Sequence, residues 1–143
     1  MRILGETFRL VSFGDTRLVE LPCVYLMAHK AGGQHCIHYA GQTHDLCERF
    51  AGHHMLVSAM AGGATHALVL VVPEGEARRR AMETVLRWHF QPPLNREEIP
   101  THMQAWRAAT WLGMADVAER AKAAHFARTA PMAPAWTRMP RVG

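Results

Sequence analysis

Three cysteines in 143 residues, Cys23, Cys36 and Cys47, are too few and too scattered for a disulfide framework, and no Cys-x-x-Cys pair occurs. Their odd number points to a reducing compartment, and the cytoplasm is expected. Long apolar runs are missing as well. The longest, ALVLVV from Ala67 to Val72, is strand-sized, far short of the ~20 residues a membrane helix needs. The opening MRILGETFRL has no apolar core followed by a small-residue cleavage site, so no export signal is expected. Lysine is scarce: fourteen of the sixteen cations are arginine, the side chain whose planar fork suits bidentate phosphate contacts. There are only two tyrosines, and no internal repeat.

What is present is ordinary globular composition, 49% hydrophobic and 20% charged, enough for one core without metal or disulfide staples. The formal charge of +4 favours polyanionic partners. Residues 1 to 95 hold nine Lys/Arg against eight Asp/Glu, and residues 96 to 143 hold seven against four, so most of the excess lies in the C-terminal third.

Along the chain, TFRLVSFGDTRLVEL (residues 7 to 21) reads as two extended runs around Gly14-Asp15, a hairpin pattern. CVYLMAH and HCIHYAG flank Ala31-Gly32-Gly33-Gln34 and predict a second hairpin. Asp45 with Glu48 three residues on is a helix-start pattern. Leu46, Phe50 and Met55 then line one face of a helix running to the Gly62-Gly63 break. THALVLVV predicts a buried strand ended by Pro73. Glu74 to Phe90 predicts a helix with Ala77, Ala81, Val85 and Trp88 on its apolar face, stopped by Gln91-Pro92-Pro93. Residues 101 to about 127 predict further helix split at Gly113, and the Pro-dense stretch beyond predicts a mobile tail. The fold class expected is α+β (mixed α/β): a small central β-sheet flanked by helices, with a C-terminal helical extension.

Cys23-Val24-Tyr25 and Tyr39-Ala40-Gly41 stand where a two-tyrosine motif pair would. Arg49 follows Tyr39 by ten residues, and His53 comes four later. Glu83 opens ETVLRWHFQPPLN, which Asn95 closes behind Pro92-Pro93. In this order the residues resemble the GIY-YIG nuclease family over roughly residues 22 to 95. Cys23 replaces the first glycine, Val24 and Ala40 replace isoleucines, and Ile37 stands where some members have lysine. The tyrosines are fourteen residues apart, which implies a longer hairpin turn around Gly32-Gly33.

The resemblance implies a nuclease core at 22–95, preceded by a β-hairpin lead-in at 1–21. A helical extension at 96–127 and a mobile Pro-rich tail at 128–143 follow. It implies a metal-dependent endonuclease hydrolysing DNA, with 3′-hydroxyl and 5′-phosphate ends and catalytic residues Tyr25, Tyr39, Arg49, His53, Glu83 and Asn95. Glu83 would be the ligand of Mg²⁺ or Mn²⁺. The chemistry explains the residue types: a carboxylate for a magnesium ion that keeps most of its waters, and a guanidinium for the phosphate as charge builds. Tyr25 would accept the water's proton, which a phenol titrating near ~10 does only with help. Tyr39 would hydrogen-bond water or phosphate. His53, placed one helical turn from Arg49, would orient Tyr25 or relay a proton, and Asn95 would fix geometry. With only residues 96 to 143 left to choose a target, weak sequence selectivity or a preference for DNA shape is expected. Their basic character would add phosphate contacts.

Plainer roles stand beside these. Each tyrosine could be an amphipathic strand residue, Arg49 and Glu83 solvated helix positions, and Asn95 a cap. Arg78-Arg79-Arg80 reads as a solvated face, and Trp106, Trp111, Met103 and Met114 as packing rather than base-stacking platforms. Cys36, Cys47, His35, His38, His44 and His53 lack zinc-ligand spacing. A non-catalytic nucleic-acid-binding protein and an RNA-cleaving enzyme remain the alternatives.

Overall fold

The computed structural model describes residues 1–14 and 20–129. Strands β1 (Arg2–Ile3) and β2 (Glu6–Thr7) form a small hairpin, and β3 (Arg9–Ser12), β4 (Cys23–Ala31), β5 (Gln34–Thr43) and β6 (His66–Val71) form the main sheet. Its order is β3-β6-β4-β5, antiparallel throughout. The helices are α1 (Leu46–Ala51), α2 (His54–Ala61), α3 (Glu76–Phe90), α4 (His102–Leu112) and α5 (Ala115–Thr129), with a 3-10 turn at Pro93–Glu98. The expected α+β class is what the chain adopts.

The apolar run of β6 follows from its place inside the sheet. Ala67 and Val69 face α1 and α2 together with Tyr25 and Met27, while Leu68 and Val72 face α3 together with Val24 and Leu26. A strand covered on both sides reads as continuous rather than alternating hydrophobicity. Each leucine buried this way contributes about 1.5–3 kcal/mol. Helix α3 is covered twice: Met82 and Leu86 meet the sheet, and Val85 and Trp88 meet Ala105, Ala109, Val117 and Ala121 of α4 and α5. The Trp88 indole N–H donates to His102 Nδ1 at 3.0 Å, tying α3 to the start of α4. The helical extension is therefore a layer on the core, split at Gly113 (φ 75) as the sequence predicts. It continues to Thr129, two residues into the stretch expected as tail. Residues 130–143 of that tail lie outside the described residues.

The first run of the hairpin expected around Gly14-Asp15 forms β3, which joins β6, while a separate small hairpin turns earlier, at Leu4-Gly5. The second run of that expected hairpin lies largely outside the described residues, at 15–19. Three local expectations need correction. The β4–β5 turn is not long. Gly32 and Gly33, at φ 58 and 79, form a two-residue turn needing left-handed backbone at both positions, which glycine adopts without strain. The fourteen-residue spacing is taken up by long strands and by a register shift after Met27, where β5 carries one extra residue. The helix expected from Asp45 to Gly62 is two helices broken at Gly52-His53. Finally, Ala77 is exposed and Ala81 half-buried, because a helix packed on two sides buries two stripes, and the strongest periodicity marked neither of them fully.

Candidate active site

The β4–β5 register sets Tyr25 opposite Gly41 and Met27 opposite Tyr39, so both phenols rise from the sheet face that α1 and α2 cover. Their ring centroids are 6.1 Å apart. Tyr25 is buried, and Phe50 stands edge-on to it at 5.4 Å. Its ring lies across the backbone of Gly41. A Cβ there would meet Tyr25 Oη at 2.6 Å and Tyr39 Cε1 at 2.9 Å, closer than a real Cβ comes to any atom. The motif glycine is thus the space the first phenol occupies.

His53 is not one turn further along the Arg49 helix, as its spacing suggested. It caps α2 with extended backbone (φ −82, ψ 105), and its Nδ1 accepts the Met55 N–H at 3.1 Å. A neutral ring whose Nδ1 accepts must carry its hydrogen on Nε2. The ring is neutral near pH 7, since burial, followed by the Arg49 and His54 charges, lowers its pKa to about 4. Nε2–H therefore donates to Tyr25 Oη, 2.7 Å away, leaving the phenol O–H to donate elsewhere. Burial, with Tyr39 next, raises Tyr25 well above the ordinary phenol value while Arg49 pulls it down; Glu83 and Cys23 push it further up. The resting residue is a neutral phenol.

The charged groups reach the phenols from two directions. Arg49, exposed on α1, is held by a helix start that works as predicted: Asp45 Oδ1 accepts the Glu48 N–H at 3.1 Å. Glu83 comes from α3, on the other face, and reaches the site around β5, the edge strand. Its carboxylate accepts the Gln42 N–H, and burial raises its pKa against the lowering pull of Arg87 and Arg80. Glu83 raises both phenols and Arg49 lowers both, so all four groups share one electrostatic neighbourhood.

Asn95 belongs to the scaffold of that edge. It is buried, and its Oδ1 accepts the Ala40 N–H at 2.7 Å. Its Nδ2 is the one buried side-chain nitrogen or oxygen without a hydrogen-bond partner among the described residues. Sequence reasoning missed Arg87, which fills the rest of the edge. Its Nε donates to Ala40 O at 3.1 Å, and its guanidinium lies 3.4 Å from Glu83 and 2.8 Å from Glu98. The available signal was its position four residues after Glu83 on a predicted helix. Arg79 also departs from the solvated face expected of its run: it is buried, with Nε on Gln42 Oε1 at 3.2 Å. Arg80 fits that expectation, exposed and paired with Glu76 at 2.9 Å.

Four histidines form two contacts at the hairpin end, His29 with His38 at 2.7 Å and His35 with His66 at 3.1 Å. No group of three or more His, Cys, Asp or Glu among the described residues could hold a metal ion. Glu83 offers a single carboxylate, already approached by N–H donors. That donor set fits a magnesium ion bound through one carboxylate and completed by water and a substrate phosphate; it does not fit zinc, which takes most of its ligands from the protein. Within residues 96–127, Arg96, Arg107, Arg120 and Lys122 balance Glu97, Glu98, Asp116 and Glu119. The basic excess of the C-terminal third therefore falls on Arg128, at the end of α5, and on Arg138 and Arg141, which lie outside the described residues.

No family model, no curated protein and no solved structure matches the chain.

Proposed function

We propose that this chain is a metal-dependent endonuclease of the GIY-YIG type, hydrolysing DNA phosphodiester bonds with weak sequence selectivity or a preference for DNA shape. One observation carries the reading: Arg49 and Glu83, delivered from opposite faces of the sheet, both act on the same two phenols, buried Tyr25 and half-buried Tyr39. Glu83 is not the plain surface carboxylate its helix position allowed, since its side chain is only 15% exposed.

In this reading Arg49 grips the scissile phosphate through its fork and holds it more strongly as negative charge builds. Glu83 would hold Mg²⁺ or Mn²⁺, which when bound supplies a polarised water and neutralises the phosphate. His53, with Nε2–H on Tyr25 Oη, fixes the phenol and favours its anion by hydrogen bonding. Burial works against that anion, so Tyr25 rests as a donor. Positive charge arriving beside Glu83 shifts both phenols downward, the direction a base role for Tyr25 requires. Tyr39, less buried, faces the incoming phosphate or water. Asn95 and Arg87 keep β5 in place.

A second reading has its own observation: Arg87 already neutralises Glu83 at 3.4 Å, as it would in a binding protein that no longer cuts. Nicking of supercoiled plasmid in Mg²⁺ separates the two. Wild type should nick, and Glu83→Ala and Arg49→Ala should each lose ~10²-fold or more in rate while gel-shift affinity stays within a few-fold. Equal nicking by all three would expose a contaminant; binding without nicking would favour the binding protein. Labelled RNA of matching sequence, run alongside, decides the substrate polymer.

A further inference from the structure

Helix α4 buries Ala105 and Ala109, and Trp106 and Met114 pack against the same cluster as expected. Trp111 does not. Trp111 is 60% exposed, and with Met103, Trp106, Arg107 and Thr110 it lines an open apolar cleft of about 480 Å³. Trp106 forms the inner wall, its ring 6.0 Å from that of Phe126 and 5.8 Å from the Lys122 ammonium. Arg107 is the one charged residue of α4. It also lines a second groove of about 530 Å³ that contains Thr84, Arg87, Glu98 and Gln104. Thr84 adjoins Glu83, and Arg87 contacts its carboxylate. One surface track therefore runs from the Glu83 edge, past Arg107, to the indole of Trp111.

We propose that this track takes an unpaired segment of the nucleic acid, with a base stacked on Trp111 and a neighbouring phosphate held by Arg107. The inference rests on the phosphodiester reading and names the substrate class: a strand with a single-stranded stretch beside the cut. The chemistry selects it. An indole face offers stacking to any base that is free of its own stack, and duplex bases are not. A cation with no acid on its own helix meets the backbone. Of the acids in the second groove, Glu98 is already met by Arg87 at 2.8 Å, and Glu97 is exposed.

The test is fluorescence anisotropy with labelled oligo(dT) and with a blunt duplex of equal length, on wild type, Trp111→Ala, Trp111→Phe and Arg107→Ala. Trp111→Ala should weaken oligo(dT) binding about tenfold or more, leave the duplex within twofold, and be largely rescued by Trp111→Phe. Arg107→Ala should flatten the dependence of log affinity on log salt by about 0.7. Unchanged oligo(dT) affinity in Trp111→Ala, or equal loss on both ligands, overturns the inference. So does a wild-type dimer that Trp111→Ala dissolves, since a second copy of the chain would then be the occupant. Glu83→Gln keeps the outcomes apart. If it matches an inactive wild type on every substrate, the phosphodiester reading fails, while the Trp111 effect on binding is still read independently.

Discussion

Gly41→Ala is the substitution that tests the site's architecture most directly. The new methyl would lie 2.6 Å from Tyr25 Oη and 2.7 Å from Cζ. The ring has no room to swing aside, with Phe50 edge-on at 5.4 Å and His53 at 2.7 Å from its oxygen. Overpacking of this kind costs about 1–3 kcal/mol. Displacing the oxygen from His53 adds about 0.5–1.5 kcal/mol, for a total of roughly 2–4 kcal/mol. In a chain of this size that corresponds to a fall in Tm of about 6–15 °C. Gly52→Ala is the control: nothing lies within 4 Å of its Cβ and its φ is −119, so it should be neutral or stabilising by about 0.4–1 kcal/mol. Urea unfolding of both variants, with plasmid nicking on each, gives the comparison. Gly41→Ala within ~0.5 kcal/mol of wild type would mean that the phenol does not lie across the strand, and the arrangement around it would have to be abandoned.

His53 makes stability depend on pH. Its folded pKa of about 4 lies below the ordinary 6.5, so the unfolded chain binds the proton more readily between those values. Its contribution should be complete above about pH 6.5 and fall away toward pH 4; urea midpoints of wild type minus His53→Gln should trace that window, and a flat difference would refute it. Asn95→Ala should cost about 1–3 kcal/mol by leaving the Ala40 N–H unpaired, seen also as faster amide exchange at Ala40. Arg79→Lys should destabilise rather than substitute, since one ammonium cannot reproduce the fork that reaches both Gln42 and Val72; chemical denaturation measures it.

The β4–β5 hairpin could be read in the chain because Gly32-Gly33 supplies the one turn that needs two left-handed residues, flanked by apolar and aromatic runs. The two-sided burial of β6 was legible in ALVLVV for a similar reason. The break between α1 and α2 was not, because His53 makes it with a ring nitrogen that caps a backbone N–H, and a histidine carries no such signal. Buried Arg79 was invisible to a rule that places charge runs in solvent; it is buried because Gln42 and Val72 O happen to lie beneath it. The chain order of Tyr25, Tyr39, Arg49, His53 and Glu83 did suggest a shared site. That Glu83 gets there by passing around a sheet edge depends on β5 being outermost, a fact of strand order that no local pattern encodes.

The occupied margin of β5 has a further consequence. Glu83, Arg87 and Asn95 hold the outward amides and carbonyl of Ala40 and Gln42, the groups through which a foreign strand would zip on. Sheets commonly guard such flanks against runaway association. A substitution made here to silence chemistry would thus also unlock a seam. Variants at Glu83, Arg87 and Asn95 should be screened for self-assembly before lost activity is assigned to lost catalysis.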